Sequence, residues 1–261
     1  MLKVYITNMT TKIKQIIDKT GVDGVLFGNW LSRQGMDSKQ QYSYTQSGWL
    51  EHLARGVYKV AGSSPSLFAV LSCYNIQMNK QCIVGAQTAL ELRGLSHYVP
   101  MGKPMACLFT DNIHRLPVWL LEAEWDRTIQ YQTTTFLGKD LLGVDVLQID
   151  GRDLLVSSPE RAVLEWLNTT EIASALMDIY YVFEMLTTLR PKLLQQLLEH
   201  CNSVKVNRLF LYMSEKAGHQ WLKSLDTSKI NIGSGRRMIS ATGKYIAKYN
   251  MTIPTELAEY E

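Results

Sequence analysis

Residues 29–58 read NWLSRQGMDSKQQYSYTQSGWLEHLARGVY, and no other stretch constrains the fold as tightly. The order is that of a helix-turn-helix followed by a β-hairpin wing. Trp30 and Leu31 anchor a short helix, and Gly35 ends it with a residue that tolerates positive φ. Asp37 or Ser38 can accept the first free N–H groups of a second helix, which runs to about Ser47 and stops at Gly48. Trp49, Leu50 and Leu53 lead into the turn pair Arg55-Gly56, and Val57, Tyr58 and Val60 return as the other strand. In this geometry the second helix enters a DNA major groove and the wing touches the flanking backbone. A small helical subdomain that packs on a protein partner is the competing interpretation.

Upstream, Met9, Ile13, Ile16 and Ile17 recur at helical spacing, with Thr10 or Thr11 as cap and Gly21 after the end. This is the first helix of a winged-helix domain. Val25 and Leu26 make a short apolar link, a brief strand or a helix entry. The wing closes near Val60, and Ala61-Gly62-Ser63-Ser64-Pro65 is the clearest linker in the chain. The boundary therefore falls after residue 62, giving a winged helix-turn-helix domain over 1–62 and a second domain over 63–261.

The second domain reads as mixed, so the whole is α+β: an N-terminal winged helix followed by a larger α/β domain with a helical second half. Apolar helical runs cover Leu67 to Cys73 and Gly85 to Gly94. Ala106 to Phe109 reads as a strand, Leu116-Pro117-Val118-Trp119 breaks the pattern, and Thr128 to Phe136 is rich in strand-favouring Thr, Ile and Tyr. Val144 to Ile149 alternates and looks like the neighbour of that strand. Ser158 caps a helix with Pro159 at its first position, and Ala162, Val163, Leu164, Trp166 and Leu167 fill its apolar face. From Glu171 to Lys223 the pattern is helical, broken near Thr187, Asn202 and Gly218. Short strands and turns return from Ile230 to Ile253.

Charge is uneven along the chain. Residues 1–62 carry a net +4, 63–189 a net −6, 190–248 a net +8 and the last 13 residues a net −3. Two basic blocks are what contact with a phosphate backbone needs. In the expected recognition helix, Ser38, Lys39 and Gln41 occupy the first turns, where Gln can pair with adenine and Lys with guanine. Tyr42 and Ser43, with Gln46, are placed to reach phosphates, Arg55 at the wing tip is placed for a phosphate or the minor groove, and Tyr44 turns to the core. In the second block, Arg190, Lys192, Lys205, Arg208, Arg236 and Arg237 form a candidate basic patch, with Lys205 and Arg208 on one helix face. Gly233-Ser234-Gly235-Arg236-Arg237 lacks the spacing of a P-loop.

Enzyme signatures are poor. Asp111 and His114 are three apart without a third ligand, and no GxSxG elbow occurs. Asp145, Asp150 and Asp153 around a strand invite a metal-dependent nuclease reading, but the downstream acid-x-Lys pair is missing. The expectation is no catalytic residue, no metal and no cofactor. Cys73, Cys82, Cys107 and Cys201 show no pairing pattern and read as buried thiols. With no secretory signal at Met1–Thr10, this suits a reducing, cytoplasmic setting. No apolar run approaches the roughly 20 residues that span a bilayer.

Several phrases together resemble a known family. Tyr44-x-x-Ser47-Gly48-Trp49-Leu50-Glu51-x-Leu53-x-Arg55-Gly56-Val57-Tyr58 resembles the winged helix of the AbiEi-type antitoxins of bacterial type IV abortive-infection systems. Gly94-Leu95-x-His97-Tyr98, Ser158-Pro159-Glu160-Arg161-Ala162 and Leu189-Arg190-Pro191-Lys192-Leu193-Leu194 look like that family's C-terminal domain. So do Cys201-x-Ser203-Val204-Lys205-Val206-x-Arg208-Leu209-Phe210-Leu211, His219-x-Trp221 and Ile232-Gly233-Ser234-Gly235-Arg236-Arg237. The resemblance implies a winged helix that binds inverted repeats in its own promoter and represses transcription. It also implies a C-terminal domain that counters a nucleotidyltransferase-type toxin without a stable complex and assists cooperative DNA binding. Two places depart from the pattern. Phe27-Gly28-Asn29 stands where a Ser or Thr cap is common, and Gln40-Gln41 where apolar residues are common. The alternatives are a nucleic-acid-acting enzyme, with Asp145, Asp150 or Glu165 on a metal, and a protein-interaction module.

Overall fold

In a computed structural model the chain is described at residues 11–97, 102–111, 113–138, 141–171 and 175–260. The helix start expected at Met9 or Thr10, and Tyr98 of the resemblance, lie outside these residues. The chain divides into two compact units. One gathers Met1–Cys82, His114–Thr128 and Leu147–Leu155, and the other Ile83–Ile113, Ile129–Val146 and Val156–Glu261.

The first unit opens with α1 (Thr11–Thr20), β1 (Val25–Phe27), α2 (Gly28–Arg33), α3 (Ser38–Gln46), β2 (Leu50–Ala54) and β3 (Val57–Val60), the element order of a winged helix. Gly21, Gly35, Gly48 and Gly56 all take positive φ, so each of these boundaries falls where glycine alone is unstrained. Ile13, Ile16 and Ile17 of α1 pack on Leu26, Leu31, Met36, Leu50, Tyr58 and Val60, with Trp30 and Tyr44 at the margin. The sheet runs β1-β3-β2, all antiparallel, with Val25 opposite Lys59 and Leu50 opposite Val60.

Beyond the linker, α4 (Leu67–Met78) starts at the Ser66 hydroxyl, which accepts from the Ala69 N–H at 3.2 Å. It is buried on nearly every side and packs against β1. Its Gln77 closes the free edge of that strand. The Gln77 Oε1 accepts from the Phe27 N–H at 2.9 Å, and its Nε2 donates to the Val25 carbonyl at 2.7 Å. One amide thus replaces a missing strand and leaves no open edge for another chain to pair with there. Later in sequence, Pro117 leads into a short helix, α6 (Val118–Glu122), where a break in pattern was expected. Trp119 sits 6.1 Å from the Phe27 ring, which sits 6.0 Å from Tyr74.

Downstream of the linker the chain also forms a five-stranded sheet. Its strands are β4 (Ile83–Val84), β5 (Met105–Thr110), β6 (Thr128–Thr133), β7 (Val144–Ile149) and β8 (Arg152–Ser157), in the order β6-β5-β4-β8-β7. The two strands expected to be neighbours, β6 and β7, are therefore the opposite edges of the sheet. The central strand is only two residues long and pairs parallel to β8 at Val84 and Val156. β8 was not anticipated. Its partner turn is Asp150-Gly151, both with positive φ (51° and 74°), the two-residue hairpin that Asp-Gly favours.

After β4 comes α5 (Ala86–Glu91), and after β8 comes α7 (Pro159–Thr169), which packs on α5. Ser158 caps α7 by accepting from the Arg161 N–H, with Pro159 in the first turn. Ala162, Val163, Leu164 and Leu167 are buried as the pattern predicts, while Trp166 is half-buried. Around α7 pack α8 (Leu176–Met185), α9 (Pro191–His200) and α10 (Val204–Lys216). Three short strands, β9 (Arg237–Met238), β10 (Lys244–Ile246) and β11 (Met251–Ile253), form a small sheet in the order β10-β11-β9. A last helix, α11 (Thr255–Glu259), returns to α8.

All four cysteine thiols are buried and free. Burial pushes the Cys201 thiol up to about 11 and the others upward as well, so none is a ready nucleophile. Among the described residues, no helix is long and apolar enough to cross a membrane.

Candidate nucleic-acid interface

Helix α3, the expected recognition helix, begins with a reciprocal cap. The Asp37 carboxylate accepts from the Gln40 N–H at 2.8 Å, and the Gln40 amide oxygen accepts from the Asp37 N–H at 3.2 Å. This satisfies two otherwise free donors and fixes where the helix starts. Lys12 of α1 donates to the Gly35 carbonyl and, at 3.4 Å, to Gln40, tying the first helix to the turn.

From that start, Lys39, Tyr42, Ser43 and Gln46 fall three and four residues apart on one solvent-exposed face. Tyr42 is 65% exposed, high for a large aromatic side chain. Ser38 is exposed in the first turn. The opposite face carries Tyr44, packed on the core as expected, and Gln41.

Gln41 requires a correction. It was placed among the base-reading side chains, but it is 5% exposed and turned inward. Its Nε2 donates to the Met36 carbonyl at 2.9 Å, the Gly28 carbonyl at 3.1 Å and the Ser32 hydroxyl at 3.1 Å. It pins α3 to α2 instead of reaching outward.

The wing is a hairpin whose tip is Arg55-Gly56. Arg55 is exposed, and the Gly56 carbonyl accepts from the Gly28 N–H at 2.8 Å, which holds the tip against the start of α2. Across the strands, Lys59 pairs with Glu51 at 3.0 Å. Hydrogen bonds from Lys59 and from the Gly62 N–H hold the Glu51 carboxyl below its usual pKa. Ser38 and Arg55 line one open cleft of about 440 Å³, together with Phe27, Tyr74 and Trp119. Helix start and wing tip are thus brought to one place.

Of the six cations expected as a second basic patch, Arg208 is not at the surface and others are held by carbonyls or a carboxylate. Arg208 is 1% exposed. Its guanidinium donates to the carbonyls of Ile232 (2.6 Å), Gly235 (2.8 Å) and Asn250 (2.9 Å), so it holds the small sheet's loops in place. Arg190 grips the buried Glu160 with two parallel bonds of 3.0 Å. Burial pushes the Glu160 carboxyl up, but the guanidinium and the Arg190 N–H outweigh it and hold the pKa below the ordinary value. Lys205 is half-buried, and its ammonium donates to the Asn168 and Thr170 carbonyls. Arg236 lies over the Tyr245 ring at 4.9 Å. Lys192, Arg236 and Arg237 are exposed.

Two of the carboxylates considered for metal chemistry, Asp145 and Glu165, have other partners. Asp145 pairs with Arg93 at 2.8 Å. Glu165, fully buried, accepts from Arg161 (2.7 Å), Ser157 (2.8 Å) and the Ala86 N–H (3.0 Å). Asp150 is the first residue of the hairpin turn.

Two family models match the chain and between them cover nearly all of it. The model described as "Transcriptional regulator, AbiEi antitoxin, Type IV TA system" matches residues 103–254. The model described as "Transcriptional regulator, AbiEi antitoxin N-terminal domain" matches residues 9–101. Among solved structures, the RV2827C protein from Mycobacterium tuberculosis aligns over 94% of this chain and 92% of its own, with a TM-score of 0.59 and 13% identity. At that identity the likeness concerns the fold alone. No curated protein matches the chain.

Proposed function

This chain belongs to the AbiEi family of antitoxin transcriptional regulators of type IV toxin–antitoxin systems, and from that premise we propose that it represses its own operon by binding promoter inverted repeats. The observation that carries the proposal is the single exposed face of α3 formed by Lys39, Tyr42, Ser43 and Gln46 beside Ser38, with Arg55 at the wing tip. Residues 1–62 are the DNA-binding domain, and residues 63–261 are the domain that counters the toxin. That toxin is of the nucleotidyltransferase type, and it is neutralised in the bacterial cytoplasm without a stable complex. The protein acts as a regulator and not as an enzyme. Exposed Lys192, Arg236 and Arg237 add electrostatic attraction for a polyanion.

The test is a titration of labelled duplex from upstream of the gene against a scrambled duplex at several salt concentrations. Selective binding should weaken steeply with salt, by a slope of about 0.9 in log K per phosphate contacted. Equal, weak binding to both duplexes would end the repressor proposal. Co-expression with the adjacent toxin gene tests the antitoxin half, which fails if growth is not rescued.

A further inference from the structure

Two cavities of the second unit adjoin at Thr170 and Glu171, just past the end of α7. The first, of about 330 Å³, is lined by Leu176, Leu209 and Ile239 and by the two cations Lys205 and Arg237. The second, of about 440 Å³, is lined by the amides of Gln87, Gln130 and Gln132 and by half-buried Trp166.

Lys205 is fixed in the first cavity. Its ammonium donates to the Asn168 carbonyl at 3.1 Å and the Thr170 carbonyl at 2.9 Å, the exposed carbonyl end of α7. Burial and the nearby charge of Arg237 both lower its pKa, and Glu171 opposes them weakly. Among the described residues neither cation forms an ion pair. With Glu171 the one carboxylate among the lining residues, the two cations leave the cavity net positive, and an anionic ligand stabilises them. In the second cavity, the Gln132 amide and the Trp166 indole N–H have no hydrogen-bond partner among the described residues. A glutamine amide presents a donor and an acceptor in one plane, matching a nucleobase edge, and an indole face stacks on bases.

We propose that the adjoining cavities bind a nucleoside phosphate, with the base against Gln130, Gln132 and Trp166 and the phosphate on Lys205 and Arg237. Glu171, at the junction, accepts from the sugar hydroxyls, a pairing that carboxylates make in other nucleotide sites. A free mononucleotide and the last nucleotide of a single strand present the same chemistry. The site lies wholly in the second unit and does not depend on the winged helix reading DNA.

The experiment is calorimetric titration of the full chain with AMP, GMP, CMP and UMP, and with a short single-stranded RNA. It is repeated on Arg237→Ala, on Gln132→Leu and on Lys244→Ala. The last removes the same charge from an exposed lysine outside both cavities. Thermal melts check that each variant folds. One monophosphate should bind at a single site, Arg237→Ala should weaken it by about tenfold, and Lys244→Ala by less than about twofold. Gln132→Leu should reduce the preference between bases. If only the RNA binds, and both Arg237→Ala and Gln132→Leu weaken it, the ligand is a strand end. No saturable binding of any probe overturns the proposal. So does equal weakening by Arg237→Ala and Lys244→Ala, which would mark diffuse attraction.

Discussion

The side-chain amide of Gln41 donates to the backbone carbonyl of Gly28 at 3.1 Å, and so fastens the recognition helix to the first residue of the helix before it. The same nitrogen also serves Met36 and Ser32, so one buried group closes the turn of the helix-turn-helix. Gly28 leaves room for this, since a Cβ there would stand 3.0 Å from the Gln41 amide oxygen.

Replacing Gln41 with leucine should therefore act on stability. The leucine keeps the bulk but leaves the Met36 and Gly28 carbonyls without that donor, a cost of about 1–3 kcal/mol. Urea unfolding should show the loss, while the base preference of the protein that remains folded should not change. A change in preference at one base pair, with stability intact, would return Gln41 to the reading face.

Lys39 and Arg55 should separate by the kind of loss they cause. Lys39 lies on the exposed face of α3, so Lys39→Ala should cost about 1–3 kcal/mol of binding and relax selectivity at one position. Arg55 at the wing tip should weaken all sequences alike when removed, and lower the salt slope by about 0.9. Duplex titrations across a set of single-base changes and salt concentrations distinguish the two.

The Glu160–Arg190 pair sets a pH dependence. Glu160 is 2% exposed and its folded pKa lies below the ordinary 4.5. Its contribution is thus complete above pH 4.5 and fades as pH falls through the lowered value. Arg190→Ala leaves a buried carboxylate short of donors and should cost about 1–3 kcal/mol at neutral pH. That is less than for a fully enclosed pair, because Arg190 is half-exposed. Burial then drives the carboxyl upward, so the gap between variant and wild type should narrow on acidification. A gap that stays constant down to pH 3.5 would contradict this account.

The winged helix was legible because its signals are local. Gly35, Asp37, Gly48 and Arg55-Gly56 each specify a boundary through their own φ or capping chemistry, and each boundary falls where expected. Asp150-Gly151 carries an equally local hairpin signal, since both residues take positive φ. Arg208 was beyond reach. Its spacing from Lys205 matches a solvated helix face, and the carbonyls that bury it come from residues 232, 235 and 250. Gln41 was misplaced because a glutamine at an inward position looks the same in sequence as one facing outward. The positions of β6 and β7 depend on long-range pairing through a two-residue central strand, which has too few residues to show a pattern.

Gly85, between β4 and α5, is required by a buried carboxylate. A Cβ at this position would collide with Glu165 and would come within 2.6 Å of the Phe109 ring. Glu165 cannot withdraw freely, because the Ala86 N–H, Ser157 and Arg161 all donate to it. Gly85→Ala should therefore destabilise the protein by about 1–3 kcal/mol through overpacking. In a Glu165→Ala background the carboxylate clash is gone and only Phe109 resists, so the same substitution should cost measurably less. The double-mutant cycle by urea unfolding reads that difference directly. Strictly additive losses would mean that Gly85 and Glu165 do not share the space assigned to them.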